Sequence, residues 1–188
     1  MESDNKKERF ISFAVAQDDE TADASLDELA ELADTAGGEI VARMIQHLPH
    51  PDPLTYLGKG KVQELREMMD ALEADAVICD DELAPSQHRN LADLLDAKVV
   101  DRTMLILDIF AGRATTSEGK IQVEMAQLKY RATRLTGKGT ALSRLGGGIG
   151  TRGPGETKLE TDRRVLQKRI ARLSSELRSM KTVRETTR

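Results

Sequence analysis

The hydrophobic pattern of this chain changes at about residue 113, and this change constrains the fold more than any other feature. Before it, short apolar runs alternate with segments of helical periodicity. After it, two long helical segments flank a glycine-rich run from Gly146 to Lys158, G-G-G-I-G-T-R-G-P-G-E-T-K. The pattern therefore predicts a body of alternating strands and helices, followed by an element of a different kind.

Four apolar runs in the first part are short and rich in β-branched residues, which is typical of strands. These runs cover residues 9–17, 39–46, 76–79 and 98–101. Helical spacing predicts helices at 25–35 (capped by Ser25), from a turn at Tyr56 to Leu72, at 86–95 (capped by Ser86) and at 103–111. Strands that alternate with helices predict an α/β fold, with a small parallel sheet and flanking helices over residues 9–112.

In the second part, apolar residues recur at spacings of three and four, which predicts two long helices. The first covers Ser117–Leu135, and the second begins at about Glu156. Near-heptad positions of the second helix hold Leu159, Leu166, Ile170, Leu173, Leu177 and Met180. Two such helices predict a long antiparallel, coiled-coil-like hairpin over residues 113–188, with a basic glycine-rich loop at 136–158. Because the second helix has no stop signal, we expect a boundary inside a longer protein.

The two parts carry opposite charge, although the formal net charge of the chain is only −4. Residues 113–188 hold 18 Lys and Arg against 7 Asp and Glu, whereas residues 1–112 hold 10 against 25. The net charges are therefore +11 and −15. A basic arm on an acidic body indicates a polyanionic partner for the arm.

Several classes of protein are excluded or disfavoured by composition. Cys79 is the single cysteine, so no intramolecular disulfide can form, and its apolar setting predicts a buried residue. The three histidines lack metal-ligand spacing, and no nucleophile elbow or Walker A loop is present, so we expect no metal site and no catalytic residue here. No apolar run is long enough to span a membrane and no signal peptide is visible, which predicts a soluble, cytoplasmic protein.

Two weaker motifs lie in the α/β part. The run of Gly58, Lys59, Gly60 and Lys61 could hold an anion or nucleotide at a helix start, although a tight turn with solvated lysines explains it as well. Asp80 and Asp81 follow a strand, where active sites of α/β proteins lie. We interpret them instead as an acidic loop that leads into a helix.

The glycine-rich loop has two interpretations. Its composition is compatible with a disordered linker. However, it carries specific cations between two stiff helices, and the positive charge continues along the second helix. This combination favours contact with a phosphate backbone, and with RNA more than DNA because no groove-reading motif is present.

The segment 146–164, G-G-G-I-G-T-R-G-P-G-E-T-K-L-E-T-D-R-R, resembles the signature that precedes the GTP-binding domain in HflX-type GTPases. Supporting similarity lies in D-P-L-T-Y-L-G-K-G-K at 52–61, Q-V-E-M-A-Q-L-K-Y-R at 122–131 and R-L-T-G-K-G at 134–139. The resemblance covers about residues 9–184. It implies a ribosome-associated GTPase that binds the large (50S) subunit and splits ribosomes under stress.

The resemblance also implies that the glycine-rich loop reaches ribosomal RNA. The residues expected to contact it are Lys138, Arg144, Gly146, Gly147, Gly148, Arg152, Gly153, Lys158, Arg163 and Arg164. This chain lacks the family's GTP-binding domain, so we expect GTP and Mg²⁺ to bind in that missing domain and no GTP hydrolysis by this chain on its own. Two alternatives stay open: a nucleotide-binding α/β enzyme domain, and a coiled-coil module for protein interactions.

Overall fold

The computed structural model of the chain describes residues 6–135 and 154–187, with side chains described over 6–134 and 163–187. The chain divides into two compact units, Met1–Ile109 and Phe110–Arg188. We refer to them as the α/β unit and the helical unit. None of the helices in the described ranges is long and apolar enough to cross a membrane.

The α/β unit contains four strands that alternate with helices. In chain order, its elements are β1 Glu8–Ala16, α1 Asp19–Thr35, β2 Gly38–His47, α2 Lys59–Leu72, β3 Ala76–Cys79, α3 Pro85–Leu95 and β4 Lys98–Asp101. Helix α4, Arg102–Arg113, begins in this unit and ends in the next. Helices α5, Ser117–Leu135, and α6, Pro154–Thr186, follow it. The predicted strands and helices therefore all exist, and except at the start of α1 they lie within a few residues of their expected ends.

The four strands form one sheet in the order β2-β1-β3-β4, and every pair is parallel. Side chains alternate between its two faces, so Ile11 and Phe13 of β1 pack against apolar side chains of α2 and α3. Phe10 and Ala14 face the other way, toward α1 and α4. The prediction of a small parallel sheet with flanking helices is confirmed.

Two predicted helix caps are wrong. Helix α1 begins six residues before Ser25, because the carboxylate of Asp18 accepts the Thr21 N–H at 2.8 Å and caps the helix there. This bond lowers the pKa of Asp18. Helix α3 begins at Pro85, whose missing N–H costs nothing at a first helical position, so Ser86 is inside the first turn.

The described part of the helical unit has far fewer buried apolar side chains than the α/β unit. In the described side chains of α5 and α6, Ile121 and Leu173 are buried. The other near-heptad residues of α6 with described side chains, Leu166, Ile170, Leu177 and Met180, are half-buried. The connection between the helices, residues 136–153, lies outside the described residues, and the predicted hairpin with its tip stays a prediction.

Candidate functional site

Helix α6 presents a strongly basic surface. Between residues 163 and 187 it carries eight Lys and Arg but only two acidic residues, Glu176 and Glu185. Four of the cations, Arg163, Arg164, Lys168 and Arg172, fall within ten residues, which a helix spans in about 15 Å. All four side chains are exposed. We call these four residues the α6 basic surface.

Ion pairs divide the α6 cations into two groups. Arg169 Nε lies 2.8 Å from Glu124 Oε1, and Arg184 Nη1 lies 3.5 Å from Glu118 Oε2, so these arginines bind α5. The hydrogen bond and negative charge of Glu124 raise the pKa of Arg169. Glu118 precedes Glu124 in α5, whereas its partner Arg184 follows Arg169 in α6. The two pairs therefore occur in reverse order along the two helices, as they do in helices that run in opposite directions.

The second group faces solvent. Arg163, Lys168 and Lys181 form no ion pair with any side chain that the structure describes. Arg172 is 72% exposed, and its partner, Glu176, lies on the same helix one turn away at 3.2 Å. Such an exposed pair adds little stability and leaves the guanidinium free to exchange partners. A polyanion could therefore contact these cations without breaking the pairs between α5 and α6.

The structure describes the side chains of only two of the residues predicted to contact RNA. Arg163 and Arg164 lie on the α6 basic surface. Lys158 lies within α6, but its side chain is not among those described. The remaining predicted residues lie outside the described residues: Lys138, Arg144, Gly146, Gly147, Gly148, Arg152 and Gly153.

An arginine–aromatic pair occupies the last described turn of α5. The guanidinium carbon of Arg134 lies 3.3 Å from the ring centroid of Tyr130, within the range of a cation–π contact. Arg134 Nη1 also donates to the Tyr130 carbonyl oxygen at 3.2 Å. Sequence reasoning missed this pair, although a Tyr and an Arg four residues apart on a helix are neighbours.

The carboxyl edge of the parallel sheet is the usual ligand site of such folds, at the point where the strand order reverses. Here that point lies between β1 and β3, and the side chain of Tyr56 fills it. The Tyr56 ring packs edge-on against Phe13 at 5.8 Å. Its hydroxyl accepts the Val15 N–H at 3.4 Å and donates to Asp81 Oδ2. Burial, first of all, raises the pKa of Tyr56 far above its usual range.

The loop before α2 holds Tyr56 in this position. Tyr56 has a φ of 63°, which is unfavourable for a bulky residue. The Leu57 N–H donates to the Thr55 carbonyl at 2.6 Å across it, closing a three-residue turn. Asp52 Oδ1 accepts the Leu54 and Thr55 N–H groups, which lowers the pKa of Asp52. The protein itself therefore occupies the crevice that a small ligand would need.

The predicted anion motif at the start of α2 is partly engaged. The Gly58 N–H donates to Gln46 Oε1 at 2.8 Å, so it is not directed at solvent. Lys61 Nζ lies 2.9 Å from Glu64 Oε2, in the same helix. Gly60 and Lys59 are exposed at the first turn. The anion site at Gly58–Lys61 stays a prediction, and no described feature favours it over a tight turn with solvated lysines.

Asp80 and Asp81 lie in the loop that leads from β3 into α3, so the interpretation of an acidic loop before a helix is confirmed, but Asp80 is not solvated. Asp80 is buried, and its Oδ1 accepts a hydrogen bond from Arg102 Nη2 at 2.6 Å. Its Oδ2 accepts the Ser25 hydroxyl at 2.6 Å. A carboxylate can stay buried in this way because both of its oxygens are satisfied. The partners come from residues 55 positions before and 22 positions after it, so sequence reasoning missed them.

Metal-binding groups, His47 and Cys79 are the remaining candidates for chemistry among the described residues. No cluster of three or more His, Cys, Asp or Glu that could hold a metal ion occurs within residues 6–135 and 154–187. His47 Nε2 lies 2.7 Å from Asp19 Oδ1 at the surface. The prediction that Cys79 is buried is confirmed, and this burial raises the pKa of its thiol well above the usual value.

Comparison with known proteins identifies the family. The family profile described as GTP-binding GTPase N-terminal matches residues 23–111, and the profile described as GTP-binding GTPase Middle Region matches residues 113–188. A GTPase HflX of Lacrimispora saccharolytica is 57% identical over 183 residues. The chain belongs to the HflX family of GTPases. The GTPase HflX of Escherichia coli K12 is 47% identical over 168 residues.

This HflX-family chain spans only part of its relatives' length. The alignment to the Lacrimispora protein includes 97% of this chain but 43% of that protein's length. The alignment to the Escherichia coli protein includes 88% of this chain and 39% of that protein's length. Among solved structures, SsGBP in complex with GDP has a TM-score of 0.64 at 25% identity, covering 95% of this chain and 46% of that one. A GTP-binding protein from Sulfolobus solfataricus, also with GDP, gives 0.59 at 25% identity.

Proposed function

We propose that this HflX-family chain is an RNA-binding effector region that attaches a GTPase to the large ribosomal subunit. The observation that carries the proposal is the α6 basic surface, where Arg163 and Lys168 are exposed without a described ion-pair partner. Because phosphate contacts supply a large share of the affinity for nucleic acid, exposed cations along one helix fit an RNA backbone. The predicted loop at 136–158 would extend this contact.

The same proposal assigns the remaining roles of the family outside this chain. GTP and Mg²⁺ would bind in the part of the relatives that this chain does not span, and ribosome splitting under stress in the cytoplasm would need that part. The nucleotide-enzyme alternative has less support, because Tyr56 fills the crevice between β1 and β3. The protein-interaction alternative rests on the half-buried Ile170 and Leu177.

The test is cosedimentation of the chain with purified 50S subunits over a series of salt concentrations. We expect the double variant Arg163→Glu and Lys168→Glu to bind about ten- to a hundredfold more weakly at low salt, with a salt slope reduced by about one to two. The matched control, Lys6→Glu with Arg66→Glu, makes the same change of charge on exposed residues of the α/β unit. It should bind like the parent.

A second pair of substitutions tests the predicted loop. Arg144→Glu with Arg152→Glu should weaken binding to 50S subunits and flatten its salt dependence. If both double variants bind like the parent, RNA attachment by this region is wrong. Partner capture that resists nuclease would favour the protein-interaction module, and tight ATP or GTP binding by calorimetry would favour the nucleotide enzyme.

A further inference from the structure

Helix α4 is the segment through which the chain passes from the α/β unit into the helical unit. Its apolar attachment is small. Leu105 is its one buried side chain, Met104 and Ile109 are only partly buried against the same cluster, and Phe110 is 54% exposed. Apolar burial is also non-directional, so this contact alone would hold the helix loosely in orientation. Something else must set the direction in which α4 leaves the sheet.

Two adjacent residues at the start of α4 make directional contacts instead. Asp101, the last residue of β4, is fully buried. Its Oδ1 accepts the Met104 N–H at 2.9 Å and so caps the first turn of α4. Its Oδ2 accepts the Leu83 N–H at 3.1 Å, which ties the same carboxylate to the segment after β3.

Arg102 adds bonds to the same segment after β3 and to α1. Its Nε donates to the Asp80 carbonyl at 2.9 Å, and its Nη2 donates to Asp80 Oδ1 at 2.6 Å. Nη2 also donates to the Ser25 carbonyl oxygen at 3.1 Å, and Nη1 donates to Glu28 Oε1 at 3.0 Å. The planar guanidinium therefore reaches α1 and the end of β3 at once. Because its nitrogens are fixed in a plane, these bonds specify an orientation as well as a distance.

We propose that Asp101 and Arg102 form a positioning clamp that fixes the first turns of α4 on the sheet. If the helical unit binds ribosomal RNA, which is the proposed function on which this role rests, the clamp holds the start of the helix that leads into that unit. Arg102 is a positioning residue in this scheme and touches no RNA. A partly buried ion pair of this kind is weak evidence for net stability, so we assign it a role in geometry.

The substitution Arg102→Lys separates positioning from charge, because lysine keeps the charge but lacks the planar fork. Arg66 offers the matched control, since its Nη1 makes a single 3.3 Å bond to the Leu94 carbonyl oxygen. Spin labels at Glu31→Cys on α1 and Ala111→Cys on α4 report the orientation through their distance distribution. Cys79 is fully buried and should stay unlabelled.

We expect Arg102→Lys to broaden this distribution relative to the parent, and Arg66→Lys to leave it unchanged. Binding to 50S subunits should weaken about tenfold in Arg102→Lys, because an α4 that is held less firmly loses more conformational freedom on binding. Binding of a short RNA hairpin, which needs only the α6 basic surface, should stay the same. An unchanged distance distribution in Arg102→Lys, or an equal loss for both RNAs, would overturn the clamp.

The two proposals can fail separately. If the parent binds neither RNA, the proposed function is wrong, while the spin-label distances still decide the clamp. If Arg102→Lys does not fold, Asp80→Asn combined with Arg102→Met removes both charges and avoids leaving one buried alone. That double variant should also broaden the distance distribution, and a distribution as narrow as the parent's would contradict the clamp.

Discussion

The α/β unit and the helical unit of this chain use their side chains in opposite ways. The α/β unit contains nearly all of the buried apolar residues, whereas Ile121 and Leu173 are the buried ones among the described residues of the helical unit. The division of charge follows the same line, with acidic residues in excess in the first part and basic residues in the second. One unit is built around its own core, and the other exposes most of its described side chains.

Polar groups show the same difference. In the α/β unit, Asp80, Asp101 and Tyr56 are buried, and each is hydrogen-bonded inside the unit. In the helical unit, the ion pairs lie at the surface and several cations have no described acidic partner. Backbone strain is also confined to the first unit: the non-glycine residues of positive φ in the described ranges are Tyr56, Glu73 and Asp96. A well-packed unit can hold such residues because its core offsets their cost.

The largest expected effect tests the difference in packing. Leu65 is fully buried between α2 and the sheet, whereas Leu177 of α6 is half-buried. Leu65→Ala should therefore cost about 3–5 kcal/mol of unfolding free energy, as truncation in a closed core does. Leu177→Ala should cost about 1–2 kcal/mol, because water already reaches part of the side chain.

Hydrogen exchange resolved by mass spectrometry measures this comparison, because it follows each unit separately. Protection of β1 and β3 should fall sharply in Leu65→Ala and stay unchanged in Leu177→Ala. If the two substitutions cost the same, the helical unit has a closed core of its own, and the contrast between the units disappears.

A smaller effect tests the two kinds of ion pair. Asp80→Asn leaves Arg102 partly buried without its closest counter-charge, and we expect a loss of about 2–3 kcal/mol. Glu124→Gln breaks the exposed pair with Arg169 and should cost less than about 1 kcal/mol. Chemical denaturation at low and high salt checks both values. High salt should reduce the Glu124 effect and leave the Asp80 effect, since buried charges are screened less.

The sequence predicts the elements of this fold well where local pattern decides them. The predicted bounds of β3 at 76–79, β4 at 98–101 and α5 at 117–135 agree with the structure. In each case a run of apolar or periodic residues is bounded by charged or polar ones, so the local pattern and the tertiary packing favour the same answer. The parallel sheet then follows from the alternation of strands and helices.

What the sequence did not predict depends on long-range contacts. Ser25 is of a residue type that commonly caps helices, but Asp18 provides the cap and the Ser25 hydroxyl donates to Asp80 instead. Tyr56 looks like a turn residue, yet its ring fills the crevice between β1 and β3. Asp101 had a usable signal, because an aspartate between a strand and a helix is a typical N-cap. No local pattern identifies which distant arginine pairs with a given aspartate.

The smallest expected effect concerns a buried polar group of the α/β unit that, unlike Asp80, Asp101 and Tyr56, is not hydrogen-bonded to a described residue. Ser12 lies in the middle of β1 and is fully buried, and its hydroxyl has no hydrogen-bond partner among the residues that the structure describes. A buried hydroxyl of this kind is unfavourable, since it has lost its bonds to water without replacement. Ser12→Ala should therefore raise the unfolding free energy by about 1 kcal/mol.

Ser25→Ala is the matched control, because it deletes a hydroxyl that is fully used. Ser25 Oγ donates to Asp80 and accepts from Arg102 Nη2 at 3.2 Å, so its removal should lower the unfolding free energy by about 1–2 kcal/mol. Thermal denaturation of the two variants beside the parent should give shifts of opposite sign. A loss of stability in Ser12→Ala would mean that its hydroxyl is bonded in solution, and the contrast between the units would then have no exception at this position.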